Sequence, residues 1–289
     1  MTSKTSGRED YITLNGCRFR YCMAGEHHEE TIILLHGGRG AGDYLGEWAA
    51  YSALADRYRV IAFDQRGCGL SEIAYPMNFR QYADDVEAFR RHFCGDDGKI
   101  ILQGGSFGGM IALTYAVHYQ HHLSRLILRG TAPSHHHEAE AIETFKARID
   151  KVPSASAEMI DKLFGTTIQD DTEFRLIWFA LQPLYYEVFD PNSALERTRT
   201  MHLHAETHNE MFREKEYDLR EQLKDMTVPT LAFCGEKDWI CPPSQTGLIA
   251  ELCPNAERWL VPGANHSCHL EKNDEVLTRI RTFLEGGST

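Results

Sequence analysis

A serine, an aspartate and a histidine, far apart along the chain, are the residues that could do chemistry together. Ser106 stands in Gly104-Gly105-Ser106-Phe107-Gly108-Gly109. A hydroxyl is a weak nucleophile until an adjacent base takes its proton and a third group orients that base. Asp238 and His266 follow it, in the order used where a nucleophilic serine sits on a sharp strand-to-helix turn. Such a trio would attack a carbonyl carbon, form an acyl-enzyme and release it to water. Two neighbours compete for these roles. Glu236 lies one residue past an apolar run and is expected to face solvent or cap a helix. His269, next to Leu270 and Glu271, is expected inside the final helix. Charge developing on the attacked oxygen also needs backbone N–H donors, and losing one costs about 10²–10³ in rate. The donors expected here are Phe107, directly after the serine, and Gly38 of His36-Gly37-Gly38-Arg39-Gly40.

Elements must deliver these groups to one place. Lys99 to Gln103 is an apolar run that reads as a buried strand, and Met110 to Val117 has helical composition. The glycines between them allow a tight turn, which lifts the hydroxyl to the positive end of the following helix. Val228 to Gly235 reads as a strand emptying into Glu236-Lys237-Asp238, and Ala256 to Val261 as a last strand whose loop carries His266. Thr31 to Leu35 leads directly into the glycine loop. Strand ends of this kind share the carboxyl edge of a parallel sheet, where ligand groups collect. Asn15-Gly16 marks a hairpin, Val60 to Phe63 and Leu126 to Leu128 are further strands, and Phe79, Tyr82, Val86, Phe89 and Phe93 recur at helical spacing. Between Thr131 and Met226 strand patterns give way to amphipathic helical segments punctuated by Pro153, Pro183 and Pro191. The expected organisation is a core of residues 1–130 and 227–289 with a helical cap, 131–226, inserted into it.

Composition suits a compact enzyme: 289 residues, 42% of them hydrophobic, can bury one large core. Thirty basic residues against 42 acidic ones, net −12, argue against nucleic acid or an anionic membrane as partner, since both attract basic patches. No run approaches the ~18 apolar residues of a membrane span, and Met1 to Gly7 lacks the apolar centre of a secretory signal. Eight scattered cysteines without a Cys-x-x-Cys pair read as free thiols, and a cytoplasmic location is expected. His135-His136-His137 is contiguous, so its rings do not converge easily on one ion. His204 and His208 share a helical face near His202, but no third ligand is evident. No metal or cofactor is expected.

Three motifs carry a resemblance to a known family: His36-Gly37-Gly38-x-Gly40, Asp64-Gln65-Arg66-Gly67-Cys68-Gly69-Leu70-Ser71, and the glycine-flanked Ser106. The chain resembles an α/β-hydrolase and, within that fold, the prolyl aminopeptidase (proline iminopeptidase) family. The resemblance covers nearly the whole chain outside the cap. It implies α/β architecture: the α/β-hydrolase fold, a mostly parallel central sheet flanked by helices, with an inserted helical cap. It also implies Ser106, Asp238 and His266 as the triad and Gly38 and Phe107 as the oxyanion hole. In that family acidic cap residues hold the substrate's free α-amine. Glu210 falls where such a carboxylate is expected, with Glu206 one helical turn earlier; a solvated face is the other reading, since Glu214, Lys215, Glu216 and Asp218 follow. Some members carry a carboxylate directly after the catalytic acid, a position held here by Trp239. The family usually has proline where this chain has Arg39, which puts a cation near the mouth of the site. Substrate contacts are thus expected at Gly37, Arg39, Glu206, Glu210 and Trp239. The implied partner is a small molecule or short peptide, cleaved by an aminopeptidase or amino-acid amidase. The other readings are an esterase or lactonase with Trp178, Phe179, Tyr185 and Tyr186 as apolar lining, and a silent binding protein, against which the intact trio argues.

Overall fold

The computed structural model describes residues 5–213 and 216–286; Glu214 and Lys215 of the charged run, and Met1 to Lys4, lie outside them. Eight strands form one sheet: β1 (Arg8–Leu14), β2 (Cys17–Ala24), β3 (Thr31–Leu35), β4 (Arg59–Phe63), β5 (Ile100–Gly105), β6 (Leu123–Arg129), β7 (Thr230–Gly235) and β8 (Ala256–Val261). Their order is β1-β2-β4-β3-β5-β6-β7-β8. The first two strands run antiparallel, and every pairing from β4 onward is parallel. The hairpin turn is Asn15-Gly16, both at positive φ (46° and 68°), the backbone a two-residue type I′ loop needs.

β3, β5 and β7 are buried along their whole length because both sheet faces are covered there, whereas the edge strand β8 carries Glu257 and Arg258 and is only partly buried. Ile33, Leu35, Ile61, Phe63 and Leu102 point to one face and pack with the phenylalanines of the long helix after β4. Ile32, Leu34, Val60, Ala62 and Ile101 point to the other. The α-helices described before β6 are α1 (Leu45–Tyr51), α2 (Phe79–Cys94) and α3 (Phe107–Tyr119). The Asn78 side chain caps the start of α2 by accepting from Gln81 N at 2.8 Å. Between β6 and β7 come α4 (His137–Lys146), α5 (Ala157–Leu163), α6 (Asp171–Leu181), α7 (Pro191–Thr200) and α8 (Ala205–Arg213). These helices bury a cluster of their own around Phe145, Ile160, Phe174, Ile177 and Leu181. The segment is tied back to the glycine loop by the bridge Ala41–Leu203, and its own two ends are joined by the bridge Ser134–Asp218. The chain closes with α9 (Pro243–Leu252), α10 (Cys268–Glu271) and α11 (Asn273–Leu284). His269 therefore lies in the short α10 rather than in the final helix. Among the described residues no helix is long and apolar enough to cross a membrane.

Candidate active site

Ser106 occupies the turn between β5 and α3 with φ 54° and ψ −119°. A non-glycine residue at positive φ is strained and persists only where its surroundings dictate it. Here they do. Ser106 N donates to Arg129 O at 2.8 Å, and Ser106 O accepts from Gly109 N at 2.9 Å and Thr131 Oγ1 at 2.8 Å. The flanking glycines are dictated by crowding: a Cβ on Gly104 would collide with Gly108 O, and one on Gly108 with Leu35 O.

Asp238 leaves the end of β7 almost completely buried. Its Oδ1 accepts from the N–H groups of Ile240 and Cys241, both at 3.0 Å. Its Oδ2 lies 2.8 Å from His266 Nδ1. A carboxylate only accepts, so Nδ1 carries the proton and Nε2 is left as the basic nitrogen. The loop holding the imidazole is itself held: Asn265 Nδ2 donates to Glu187 Oε1 at 2.9 Å, and Asn265 N to Glu271 Oε2 at 2.7 Å. Gly130, at φ +48°, packs against this pair; a Cβ there would stand 2.8 Å from Asp238 Oδ2 and 3.4 Å from His266 Nδ1. Ser106 and His266 line one cavity of about 330 Å³. Glu236, the competing acid, is exposed and accepts from Gly263 N at 3.0 Å.

The glycine loop lies directly over the serine. A Cβ on Gly37 would fall 3.0 Å from Ser106 Cβ and 3.6 Å from its Oγ. Gly38, at φ +86°, and Phe107 both line the cavity. Phe107 opens α3, so its N–H is one of the first-turn donors that the helix itself cannot satisfy. The loop is braced from behind by His36. Its Nδ1 donates to Gly37 O at 2.7 Å and its Nε2 accepts from Gln65 N at 3.3 Å, which fixes one neutral tautomer. Full burial keeps His36 uncharged by lowering its pKa. The Asp64-Gln65-Arg66 motif proves to be scaffold. Gln65 Nε2 donates to His36 O at 2.7 Å, and Asp64 accepts from Tyr44 N at 2.8 Å and Leu70 N at 2.9 Å. Arg66 forks onto buried Asp85, with both contacts at 2.8 Å.

Several expected substrate contacts are placed elsewhere. α8 turns Thr207, His208, Met211 and Phe212 inward, so Glu206 and Glu210 occupy the opposite face, as an amphipathic helix requires. Glu206 is exposed and accepts from Tyr75 OH at 2.6 Å, and Glu210 pairs with Arg213 beside a separate surface depression. Neither lines the Ser106 cavity. Trp239 is fully buried, 5.6 Å from the ring of Tyr185 and 5.7 Å from that of Phe145, and belongs to the core of the helical segment. Arg39 does reach the cavity, with its guanidinium 4.1 Å from the Phe212 ring and 3.6 Å from Glu138.

The carboxylates that line the cavity are Asp43, Glu47 and Glu138, none of which the sequence reading singled out. Glu138 could have been found as the first-turn acid of the helix that follows β6. Glu47 meets Arg129 at 2.7 Å; an arginine ending an apolar strand was the available signal. Of the expected apolar lining, Trp178, Tyr185 and Tyr186 are present and Phe179 is not. Burial pushes His137 and His208 down to about 4, so both are neutral near pH 7. The histidines do not converge: His135, His137, His204 and His208 donate to the carbonyls of Tyr217, Ser134, Gly69 and Lys162. Among the described residues no group of metal-ligating side chains could hold an ion.

A strained serine between strand and helix, an Asp–His pair in the loops after β7 and β8, and a glycine loop after β3 define a class, and residues 30–273 match the family model of the alpha/beta hydrolase fold. The chain belongs to the α/β-hydrolase family. It is 45% identical to the proline iminopeptidase PfmaB of Pestalotiopsis fici, over 96% of this chain and 99% of that one. It is 28% identical to the proline iminopeptidase of Thermoplasma volcanium, over 98% of both. Within the fold, the chain is thus a serine hydrolase of the proline iminopeptidase group. Among solved structures, an enol-lactonase from Burkholderia xenovorans has a TM-score of 0.75 at 22% identity, covering 96% of this chain and 100% of that one. The meta-cleavage product hydrolase CumD also scores 0.75, at 21% identity over 96% and 98%. These two share the fold.

Proposed function

We propose that this hydrolase releases an N-terminal residue, proline or another small one, from a short peptide or amide through an acyl-enzyme on Ser106. The observation that carries the reading is the 2.8 Å contact between Asp238 Oδ2 and His266 Nδ1 at the wall of the cavity that Ser106 lines. His266 Nε2 takes the Ser106 proton as Oγ attacks, and Asp238 holds the tautomer and stabilises the imidazolium. The N–H groups of Gly38 and Phe107 receive the oxyanion. His266 then protonates the leaving amine, and water, activated by the same imidazole, hydrolyses the ester. In this reading residues 131–226 act as a cap that selects the substrate. Glu138 rather than Glu210 receives its free amine, because it is Glu138 that borders the serine's cavity. The free state of all eight cysteines supports a reducing compartment such as the cytoplasm.

The aromatic lining from Trp178, Tyr185 and Tyr186 favours a second reading, an esterase or lactonase for a small apolar acyl group. Turnover of a free-amine prolyl anilide, its N-acetylated form and a short-chain nitrophenyl ester separates the two. The aminopeptidase reading expects acetylation to abolish cleavage. Equal turnover of both anilides with fast ester cleavage would replace it with the second.

A further inference from the structure

We propose that Arg129 is a positioning residue, which sets the histidine loop and the nucleophile turn in register through a buried fork completed by Glu47. The inference rests on the serine-hydrolase mechanism above.

Arg129 ends β6 at the carboxyl edge of the sheet and is 3% exposed, and Glu47 is 2% exposed. A charge so placed must be paired and hydrogen-bonded. Arg129 divides its donors between two partners. Nη2 donates to Glu47 Oε1 at 2.7 Å, and Nη1 donates to the backbone oxygen of His266 at 3.0 Å. The carbonyl of Arg129 in turn accepts from Ser106 N at 2.8 Å. Glu47 belongs to α1, the first helix after the glycine loop. One residue therefore joins the strained serine, the imidazole-bearing loop and the segment that continues from the oxyanion loop. The guanidinium packs closely against the turn because position 105 is glycine; a Cβ there would stand 2.0 Å from its Nη2.

Stability alone does not explain the pair. Replacing a buried ion pair with apolar residues of similar volume is often neutral or stabilising, whereas removing one partner strands a charge. A planar guanidinium suits the geometric task, since its donors diverge at fixed angles and can hold a carboxylate and a carbonyl at once. The orientation of the imidazole is what such a clamp controls, and a misplacement of about 1 Å can cost on the order of 10²-fold in rate.

The test is the double variant Glu47→Leu/Arg129→Met in the full chain, which removes both charges together. The expected result is a thermal midpoint near that of the wild type and a KM within about 3-fold, with kcat lower by roughly 10- to 100-fold. Acylation of Ser106 by a fluorophosphonate should slow in the same proportion. A double variant that folds and keeps kcat within about 3-fold overturns the proposal. Should it not fold, Arg129→Lys decides. Lysine keeps the charge beside Glu47 but cannot span both acceptors, so kcat should fall as before, and unchanged turnover is the contrary result. Ser106→Ala is assayed alongside. Activity in that variant would sink the mechanism itself, whereas a silent Ser106→Ala beside normal Arg129 variants would sink only the clamp.

Discussion

At Gly130 a missing side chain leaves room for the Asp238–His266 pair, because a Cβ there would press to 2.8 Å from Asp238 Oδ2. The same kind of reasoning, from what a position has room to face, separates Glu138 from Glu210. Glu138 borders the cavity and stands 3.6 Å from Arg39, whereas Glu210 pairs with Arg213 on the outer side of α8. A carboxylate about 4 Å from a substrate ammonium is worth roughly 4 kcal/mol at an effective dielectric near 20, an upper bound of about a thousandfold. Glu138→Gln should therefore lower kcat/KM for a free-amine anilide by between about 10- and 1000-fold and leave an N-acetylated substrate unaffected. Glu210→Gln should change neither. Steady-state kinetics on the two substrates checks this, and the opposite pattern would return the amine to α8.

The elements explain which parts of the site could be seen in the sequence. Ser106 and Asp238 were legible because each follows a short apolar run, and His266 because it follows the last strand pattern, Ala256 to Val261; in a parallel sheet the ends of such strands share one edge. Strand assignments at β3, β5 and β7 rest on the same local signal. The motif containing Asp64 could be recognised but not interpreted, since its task of bracing His36 and the glycine loop depends on contacts between β4 and loops elsewhere. The phase of α8 was not legible: its sequence offers carboxylates on one side and Thr207, His208 and Met211 on the other, and only packing decides which side meets the serine. The place of Trp239 directly after Asp238 marks it as a pocket residue in the sequence, yet an indole that can pack on Phe145 and Tyr185 gains more by burial. The Arg129–Glu47 pair joins residues 82 apart, a partnership that no local pattern reveals.

For the molecule as a whole, burial of uncharged histidines makes stability depend on pH. His137 and His208 are held down at about 4 chiefly by burial, and His36 and His269 are lowered for the same reason. An unfolded chain takes up protons on these rings as pH falls through about 6.5, while in the folded protein His137 and His208 resist until about 4. Their contribution is thus fully present above pH 6.5 and is lost progressively as pH falls toward 4. For His137 or His208 the loss amounts to on the order of 3 kcal/mol. Thermal unfolding followed from pH 7 to pH 4.5 should show the midpoint falling, with a smaller fall in His137→Gln than in the wild type. Identical slopes for the two proteins would mean that this ring is not held neutral.

The proposed mechanism rests on one nucleophile, the Ser106 hydroxyl. The most direct measurement is mass spectrometry of the intact chain after treatment with a fluorophosphonate, followed by peptide mapping. The account predicts a single adduct on the peptide containing Ser106, absent from Ser106→Ala, formed far more slowly in His266→Ala, and matched by a fall in kcat on the order of 10⁴–10⁶ for the alanine variant at position 106. An adduct on a different residue, or Ser106→Ala turning over at a rate near that of the wild type, would contradict it.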